Sequence, residues 1–99
     1  FVVQGHGRGE GRVLRFDRSG KFLASWGGKG AEPGKFDQPH SILVHEGRVL
    51  VADRENRRVQ LFDMNGRYLT AWSFKGLPCG LLVGPDRQLY LATGFSGQI

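Results

Sequence analysis

Cysteine is almost absent from this sequence of 99 residues, since Cys79 is its only one. An internal disulfide and a cysteine-based metal cluster are therefore excluded, and cysteine usage gives no indication of a redox compartment. Long apolar runs are also missing, because no stretch approaches the roughly 20 apolar residues that a membrane-spanning helix needs. The compartment is left undetermined, and a secreted or periplasmic location is compatible with the sequence.

Proline and acidic residues are scarce, whereas glycine is abundant. The chain has 4 prolines, 16 glycines, 14 Lys or Arg and 9 Asp or Glu, which gives a formal net charge of +5. This composition is typical of a turn-rich globular β protein. The basic residues are scattered rather than gathered into one run. Because FVV at the start and GFSGQI at the end read as interrupted strands, we expect a fragment of a longer repeat array.

One segment of the sequence returns later in the chain. RVLRFDRSGKFLASW at 12–26 recurs as RVQLFDMNGRYLTAW at 58–72, a shift of 46 residues. PHSILV at 39–44 also recurs as PCGLLV at 78–83, a shift of 39. One inserted residue then aligns RVLVAD with RQLYLAT. Recurrence at this spacing predicts a repeat architecture.

The repeating unit contains four short apolar runs separated by turns. Its complete copy reads SILV, RVLVAD, RVQLF and RYLTAW, and glycine turns such as EG at 46–47 and MNG at 64–66 favour tight hairpins. Four-stranded antiparallel units at this spacing predict an all-β propeller fragment, in which each blade packs both faces against its neighbours. We assign 1–26 to the end of one blade, 38–72 to a complete blade and 77–99 to the first strands of the next.

Aromatic side chains fall at recurring positions of these runs. Because propeller strands are covered on both faces, we predict that six of them belong to the core: Phe16, Phe22, Trp26, Phe62, Tyr68 and Trp72.

The motifs resemble the NHL repeat, which builds six-bladed propellers. PGKFDQPHSILV, then VLVADRENRRVQLFD and NGRYL, carry this resemblance, which covers nearly the whole chain. Within that superfamily, the order SGKF, a WG-rich loop, PGKF, PHS, ADREN and RVQ is similar to the peptidyl-α-hydroxyglycine α-amidating lyases and their bacterial relatives.

Three loops are predicted to share one face of the propeller. In a four-stranded meander, the loops after strands two and four open on the same side, which groups residues 5–11, 27–41 and 53–57. This loop face collects the candidate site residues His6, Arg8, Glu10, Lys29, His40, Asp53, Arg54 and Glu55. His40 is expected nearest the axis, because it precedes the innermost strand of its blade.

Two of these residues acquire roles through the resemblance. It implies that His40, in the PH motif, is one ligand of a catalytic Zn²⁺ whose other ligands lie in blades outside this chain. It also implies that Arg54 of DREN holds a substrate carboxylate. From the residues alone, a histidine before a strand is more often a capping or packing group. Asp53 is predicted to be structural and to accept backbone amides of the following turn, while Arg57 and Arg58 are interpreted as repeat and surface residues.

The first loop departs from the family pattern. The lyases carry a catalytic tyrosine in a DGY context, and the loop QGHGRGEGRV has no tyrosine. One alignment puts His6 in its place, where a histidine could act as the base. Counting back from Arg12 without a gap puts Arg8 at the position of the tyrosine instead, and an arginine could not act as a base. A flexible surface loop is the third interpretation.

These observations support three functions. The first is a zinc-dependent lyase that cleaves a C–N bond to give an amide and glyoxylate, with His40 on the metal, Arg54 on the carboxylate and His6 as base. The second is a non-catalytic propeller whose loop face binds protein, peptide, glycan or small-molecule ligands. The third is an RNA-binding propeller, which the acidic side chains of the loop face disfavour. In each case further blades, or self-assembly, must close the ring.

Overall fold

The computed structural model describes residues 1–4 and 11–94 of the chain. Within these ranges it contains nine β-strands and no helix: β1 (Val2–Gln4), β2 (Arg12–Phe16), β3 (Phe22–Gly27), β4 (Pro39–His45), β5 (Arg48–Asp53), β6 (Arg58–Asp63), β7 (Tyr68–Ser73), β8 (Leu77–Val83) and β9 (Leu89–Gly94). The described part of the chain thus has no helix capable of crossing a membrane. The predicted all-β class is confirmed.

The strands form three antiparallel sheets in which each strand pairs with its neighbour in sequence. The orders are β1-β2-β3, β4-β5-β6-β7 and β8-β9. We call these sheets the first, second and third blade. Their meander topology is that predicted for a propeller fragment built from successive blades.

The strand register reproduces the sequence repeat. In the second blade Pro39 pairs with Asp53 and Ser41 with Ala52, so that His40 is the extra residue of a β-bulge. In the third blade Pro78 pairs with Thr93 and Gly80 with Ala92, which makes Cys79 the extra residue. The bulge therefore recurs at the same repeat position. Such bulges bend a strand and redirect the side chain at a sheet rim.

Strands β5 and β6 of the second blade are covered on both faces. One core cluster, between the first and second blades, consists of Val13, Phe36, Val49, Val51 and Phe62. The other consists of Leu50, Val59 and Leu61, against which Leu81, Leu89 and Leu91 of the third blade pack. Successive residues of β5 thus point into different clusters. This explains why the run from Val49 to Ala52 shows no apolar–polar alternation.

The prediction that six aromatic side chains are core was wrong for four of them. Phe62 is fully buried and Trp26 is partly buried. The exposed four, with their exposed fractions, are Phe16 (37%), Phe22 (54%), Tyr68 (38%) and Trp72 (41%). Phe16 and Phe22 lie on the first blade, and no described residue covers the first blade on the side away from the second. Trp72 pairs with Val59 and lies on the side of the second blade that faces the third blade. Of the third blade, two inner strands are described.

The hairpin between β2 and β3 is closed by an aspartate turn. Asp17 Oδ1 accepts hydrogen bonds from Ser19 Oγ (2.7 Å) and from the backbone N–H groups of Ser19 and Lys21 (both 2.9 Å). The bond from the Ser19 hydroxyl, followed by the Lys21 amide, lowers the pKa of Asp17. Gly20 closes this turn at φ +87°, a conformation that side-chain-bearing residues rarely adopt.

Candidate functional site

The candidate site lies at the end of hairpin β4–β5 where β4 begins and β5 ends. Residues 53–57, which we call the DREN turn, begin there with the last residue of β5. Residues 28–38, the glycine-rich connection, lead into β4, and residues 74–76 connect β7 to β8. The DREN turn contacts both of these connections. Its geometry therefore determines how the rim of the second blade is built.

Asp53 anchors this rim from inside. Its carboxylate is fully buried and accepts hydrogen bonds from Asp37 N (2.7 Å), Arg58 Nε (2.8 Å), Asn56 Nδ2 (2.9 Å) and Gln60 Nε2 (3.0 Å). A buried charge is tolerated when it is paired and its lone pairs are satisfied, as here. The predicted structural role agrees with this geometry. The partners differ, because the backbone donor belongs to the preceding connection and not to the following turn.

Arg58 ties the glycine-rich connection to the blade. Besides its bond to Asp53, it donates from Nη1 to Ala31 O (2.8 Å) and from Nη2 to the carbonyl oxygens of Glu32 and Lys35 (both 3.0 Å). Its side chain is 14% exposed. The interpretation of Arg58 as a surface residue was therefore wrong: the carbonyl oxygens of the connection satisfy the guanidinium and allow most of the side chain to be buried.

Gln60 completes the attachment of the connection. It is fully buried, accepts a hydrogen bond from Gly34 N (2.9 Å) and donates to Lys35 O (2.7 Å). Sequence reasoning did not single out this residue. Together with Arg58 it fixes the path of a glycine-rich segment that has little apolar side-chain surface of its own.

The DREN turn joins the connections on its two sides. Glu55 N donates to Asp37 O (3.0 Å) and Asn56 Nδ2 to Gly30 O (2.8 Å) on one side. On the other side Arg57, at φ +56°, accepts a hydrogen bond from Phe74 N (2.8 Å) and donates from Nη1 to the carbonyl of Lys75. The prediction that residues 27–41 and 53–57 share one face is thus confirmed.

His40 is exposed at the start of β4. Both main-chain groups of Asp37 are held by the DREN turn, and Gln38 then adopts φ +57° before the chain enters the strand at Pro39. This turn and the bulge together set the position of the histidine at the rim. Its counterpart Cys79 is partly buried, and its Sγ lies 3.4 Å from Leu77 O.

Arg54 is placed at the same rim, because its neighbour Asp53 pairs with Pro39, the residue before His40. Its side chain is 30% exposed, and Nη1 pairs with Glu55 Oε2 at 2.7 Å. Its Nε is buried without a hydrogen-bond acceptor. The structure thus brings His40 and Arg54 to one edge of the blade. The other predicted site residue, His6, and its alternative Arg8 lie outside the described residues.

No three side chains of His, Cys, Asp or Glu gather into a metal-binding group in the described parts of the chain. His40 is one candidate zinc ligand, whereas a catalytic zinc site takes three protein ligands and keeps one open position. The described residues therefore do not form a zinc site by themselves.

Comparisons with known proteins give partial matches, and no family model matches the chain. The chain is 43% identical over 53 residues to the peptidyl-glycine alpha-amidating monooxygenase of Mus musculus, covering 48% of this chain and 5% of that protein. It is 39% identical over 59 residues to NHL repeat-containing protein 3 of Homo sapiens, covering 59% and 17%. Peptidyl-glycine alpha-amidating monooxygenase B of Xenopus laevis is 37% identical over 64 residues, covering 59% and 7%.

The matched region thus spans no more than 17% of the length of these relatives. Each match covers about half or more of this chain. Together with the meander blades, these partial matches support an NHL-type propeller family for this chain.

Proposed function

We propose that the chain forms part of an NHL-type propeller that cleaves a peptidyl-α-hydroxyglycine into a peptide amide and glyoxylate. The observation that supports this function is the placement of His40 and Arg54 together at one rim of the second blade. Two of the matched relatives are named for the alpha-amidation of peptidyl-glycine, and a peptide amide is the product of the proposed reaction.

Arg54 is the proposed carboxylate-binding residue. A guanidinium presents a planar fork of donors that matches a carboxylate, and such charge-assisted pairs are strong and directional. In the structure one donor pairs with Glu55 and Nε lacks an acceptor. A buried donor without a partner is costly. Rotation of the guanidinium toward the terminal carboxylate of the hydroxyglycine would satisfy this donor and fix the orientation of the substrate at the rim.

The bond changes of the reaction require a base near the substrate hydroxyl. The base removes the hydroxyl proton, the carbon–oxygen double bond of glyoxylate forms, the C–N bond breaks and a proton is delivered to the departing amide nitrogen. We assign the base to His6, because a neutral imidazole can take this proton near neutral pH.

His40 is the proposed zinc ligand of this chain, with the remaining ligands on other blades. A bound Zn²⁺ supplies a Lewis acid for an oxygen of the substrate. What this chain contributes is the backbone bulge and the Gln38 turn, which put His40 at the rim of the second blade.

Replacement of Arg54 by glutamine is expected to raise the KM for a peptide ending in α-hydroxyglycine by about 10- to 100-fold, since a hydrogen bond to a charged group contributes about 1.5–3 kcal/mol. Glyoxylate release by the intact protein measures this effect. Arg67→Gln, in the hairpin at the opposite end of the blade, is the matched control and should leave KM unchanged. An equal change in both variants, or none in either, would contradict the carboxylate role.

A second candidate function is a non-catalytic propeller that binds a peptide or another ligand on the same face. It is favoured by the Arg54–Glu55 pair, which already occupies part of the guanidinium. The match to NHL repeat-containing protein 3 over 59% of this chain also agrees with it. Retention of the hydroxyglycine peptide without release of glyoxylate would identify this function and exclude the lyase.

A further inference from the structure

The hairpin between β6 and β7 carries an asparagine that is followed directly by a glycine. Asn65 is exposed in this turn, and Gly66 follows it at φ +91°. Because a glycine has no Cβ, it leaves its backbone nitrogen less hindered than any other residue would. The hairpin lies at the end of the blade opposite the DREN turn, and the proposed function does not use it.

An asparagine–glycine pair can lose ammonia without an enzyme. The backbone nitrogen of Gly66 attacks the side-chain carbonyl carbon of Asn65 and closes a five-membered succinimide. The proton that this nitrogen gives up leaves with the side-chain amide as ammonia. Water then opens the ring at one of its two carbonyls. One opening gives an aspartate, and the other gives an isoaspartate, in which the backbone runs through the former side chain.

The turn itself holds the attacking nitrogen only weakly. Gly66 N donates to Asp63 O at 3.2 Å, at the upper end of the usual range for an N–H···O hydrogen bond. Asp63 Oδ1 accepts shorter hydrogen bonds from Asn65 N (2.8 Å) and Arg67 N (2.9 Å). The bond of the attacking nitrogen is therefore the longest of the three, and the turn alone gives it little protection.

Trp26 of the first blade covers this nitrogen from outside the turn. A Cβ built on Gly66 lies 2.6 Å from Trp26 Cε3 and 2.7 Å from Trp26 Cδ2, so the indole packs directly on the glycine. The Phe62 ring, 5.6 Å away between centroids, supports the indole in this position. Ring closure requires the peptide group between Asn65 and Gly66 to rotate toward the side chain. The packed indole leaves no room for this rotation.

Arg15 of the first blade holds the group that is attacked. Its Nη1 donates to Met64 O at 2.8 Å and lies 3.4 Å from Asn65 Oδ1. The first blade thus contacts both reacting groups, the side-chain amide through Arg15 and the peptide nitrogen through Trp26.

We propose that Asn65 is a deamidation site that the first blade protects, so that its modification records separation of the first and second blades. While Trp26 lies on Gly66, the reaction is slow. When this contact opens locally, the Gly66 nitrogen is free to attack. The isoaspartyl product has one additional backbone atom before Gly66. Because a single Cβ at Gly66 already collides with the indole, this product opposes the return of Trp26.

Peptide mapping by mass spectrometry, on the intact protein incubated at mildly alkaline pH, tests this protection. The readout is the rate at which residue 65 gains the mass that accompanies conversion of an amide to a carboxylate. Trp26→Ala is expected to raise this rate about tenfold or more, since a loss of about 1.4 kcal/mol of packing makes the open state tenfold more populated. Arg15→Gln should give a smaller increase, because it leaves the indole in place.

Asn56 is the internal reference in each digest. The residue that follows it is Arg57, which carries a bulky side chain, and Asn56 Nδ2 is held by Gly30 O (2.8 Å) and Asp53 Oδ2 (2.9 Å). Its amide should therefore stay intact in the unmodified protein and in each of these variants.

Two control variants separate protection by Trp26 from a general loss of stability. Asn65→Ser introduces the residue that the first blade has at the same repeat position, Ser19, whose backbone nitrogen makes the matching bond to Asp17 Oδ1 (2.9 Å). This variant should fold and show no mass gain at the turn. Leu81→Ala weakens the cluster between the second and third blades and should leave the rate at Asn65 unchanged. Circular dichroism establishes that each variant is folded during the incubation.

Three outcomes would overturn the proposal. The first is a rate at Asn65 that is the same in Trp26→Ala and in the unmodified protein. The second is no modification of Asn65 in either protein. The third is equal acceleration in Trp26→Ala and Leu81→Ala, which would assign the reaction to unfolding of the whole domain instead of opening of the Trp26 contact.

Discussion

Replacement of Asp53 by alanine is expected to lower the free energy of unfolding by about 3–5 kcal/mol, as for the removal of one partner from a buried ion pair. The substitution leaves the largely buried Arg58 without its counter-ion. It also removes the acceptor for Asp37 N, Asn56 and Gln60. Urea unfolding followed by circular dichroism measures the loss.

The surface ion pair of the same turn provides a control for Asp53. Glu55 pairs with Arg54 at a similar distance, but both side chains are about one-third exposed. Exposed pairs contribute about 1 kcal/mol or less, so Glu55→Ala should cost little. Equal losses for Asp53→Ala and Glu55→Ala would show that burial of the carboxylate does not hold the rim together.

Replacement of Phe62 by alanine is expected to cost about 3–5 kcal/mol, the range for truncation of a buried phenylalanine. The side chain is fully buried, and its ring lies 5.6 Å from that of Trp26 and 5.7 Å from that of Phe36. Its loss opens a cavity at the contact between the first and second blades. Because the neighbouring blades share this cluster, they should also unfold less cooperatively in a thermal scan.

The repeat itself offers the control for Phe62. Phe16 has the same repeat position but is 37% exposed in the single chain. Phe16→Ala should therefore cost clearly less than Phe62→Ala. If both substitutions destabilise the protein equally, packing between the blades is not the source of the Phe62 contribution.

The fold class was predictable because its determinants are local and repeated. Glycine turns such as Gly47 and Gly66 separate runs of four to seven residues, which limits the elements to short antiparallel strands. The shift of 46 residues then identifies the unit, since strands that recur at this spacing must pack on copies of themselves.

Burial of the aromatic side chains was less predictable, because it depends on which neighbour covers each blade. Phe62 and Phe16 have the same place in the repeat and similar sequence surroundings, yet they differ in exposure. The sequence indicates that both belong to packing positions. It does not indicate which positions are covered within the chain.

The structure of the rim was predictable in part. The structural role of Asp53 follows from its place at the end of β5, but its donor at Asp37 is 16 residues away and depends on the path of the glycine-rich connection. The recurrence of Arg12 as Arg58 marks a repeat position, but the burial of Arg58 depends on the carbonyl oxygens of the glycine-rich connection. The bulge at His40 has no local signal beyond its recurrence at Cys79.

Zinc content, measured by elemental analysis of the intact protein purified without chelator, tests the proposed site most directly. The His40→Ala variant is compared with His45→Ala, which alters a histidine at the opposite end of β4, 3.6 Å from Glu46. A zinc site at the rim predicts near-stoichiometric zinc in the unmodified protein and in His45→Ala, and a large loss in His40→Ala. Absence of zinc from the well-folded protein, or equal zinc in all three, would contradict the metal role of His40 and the lyase function built on it.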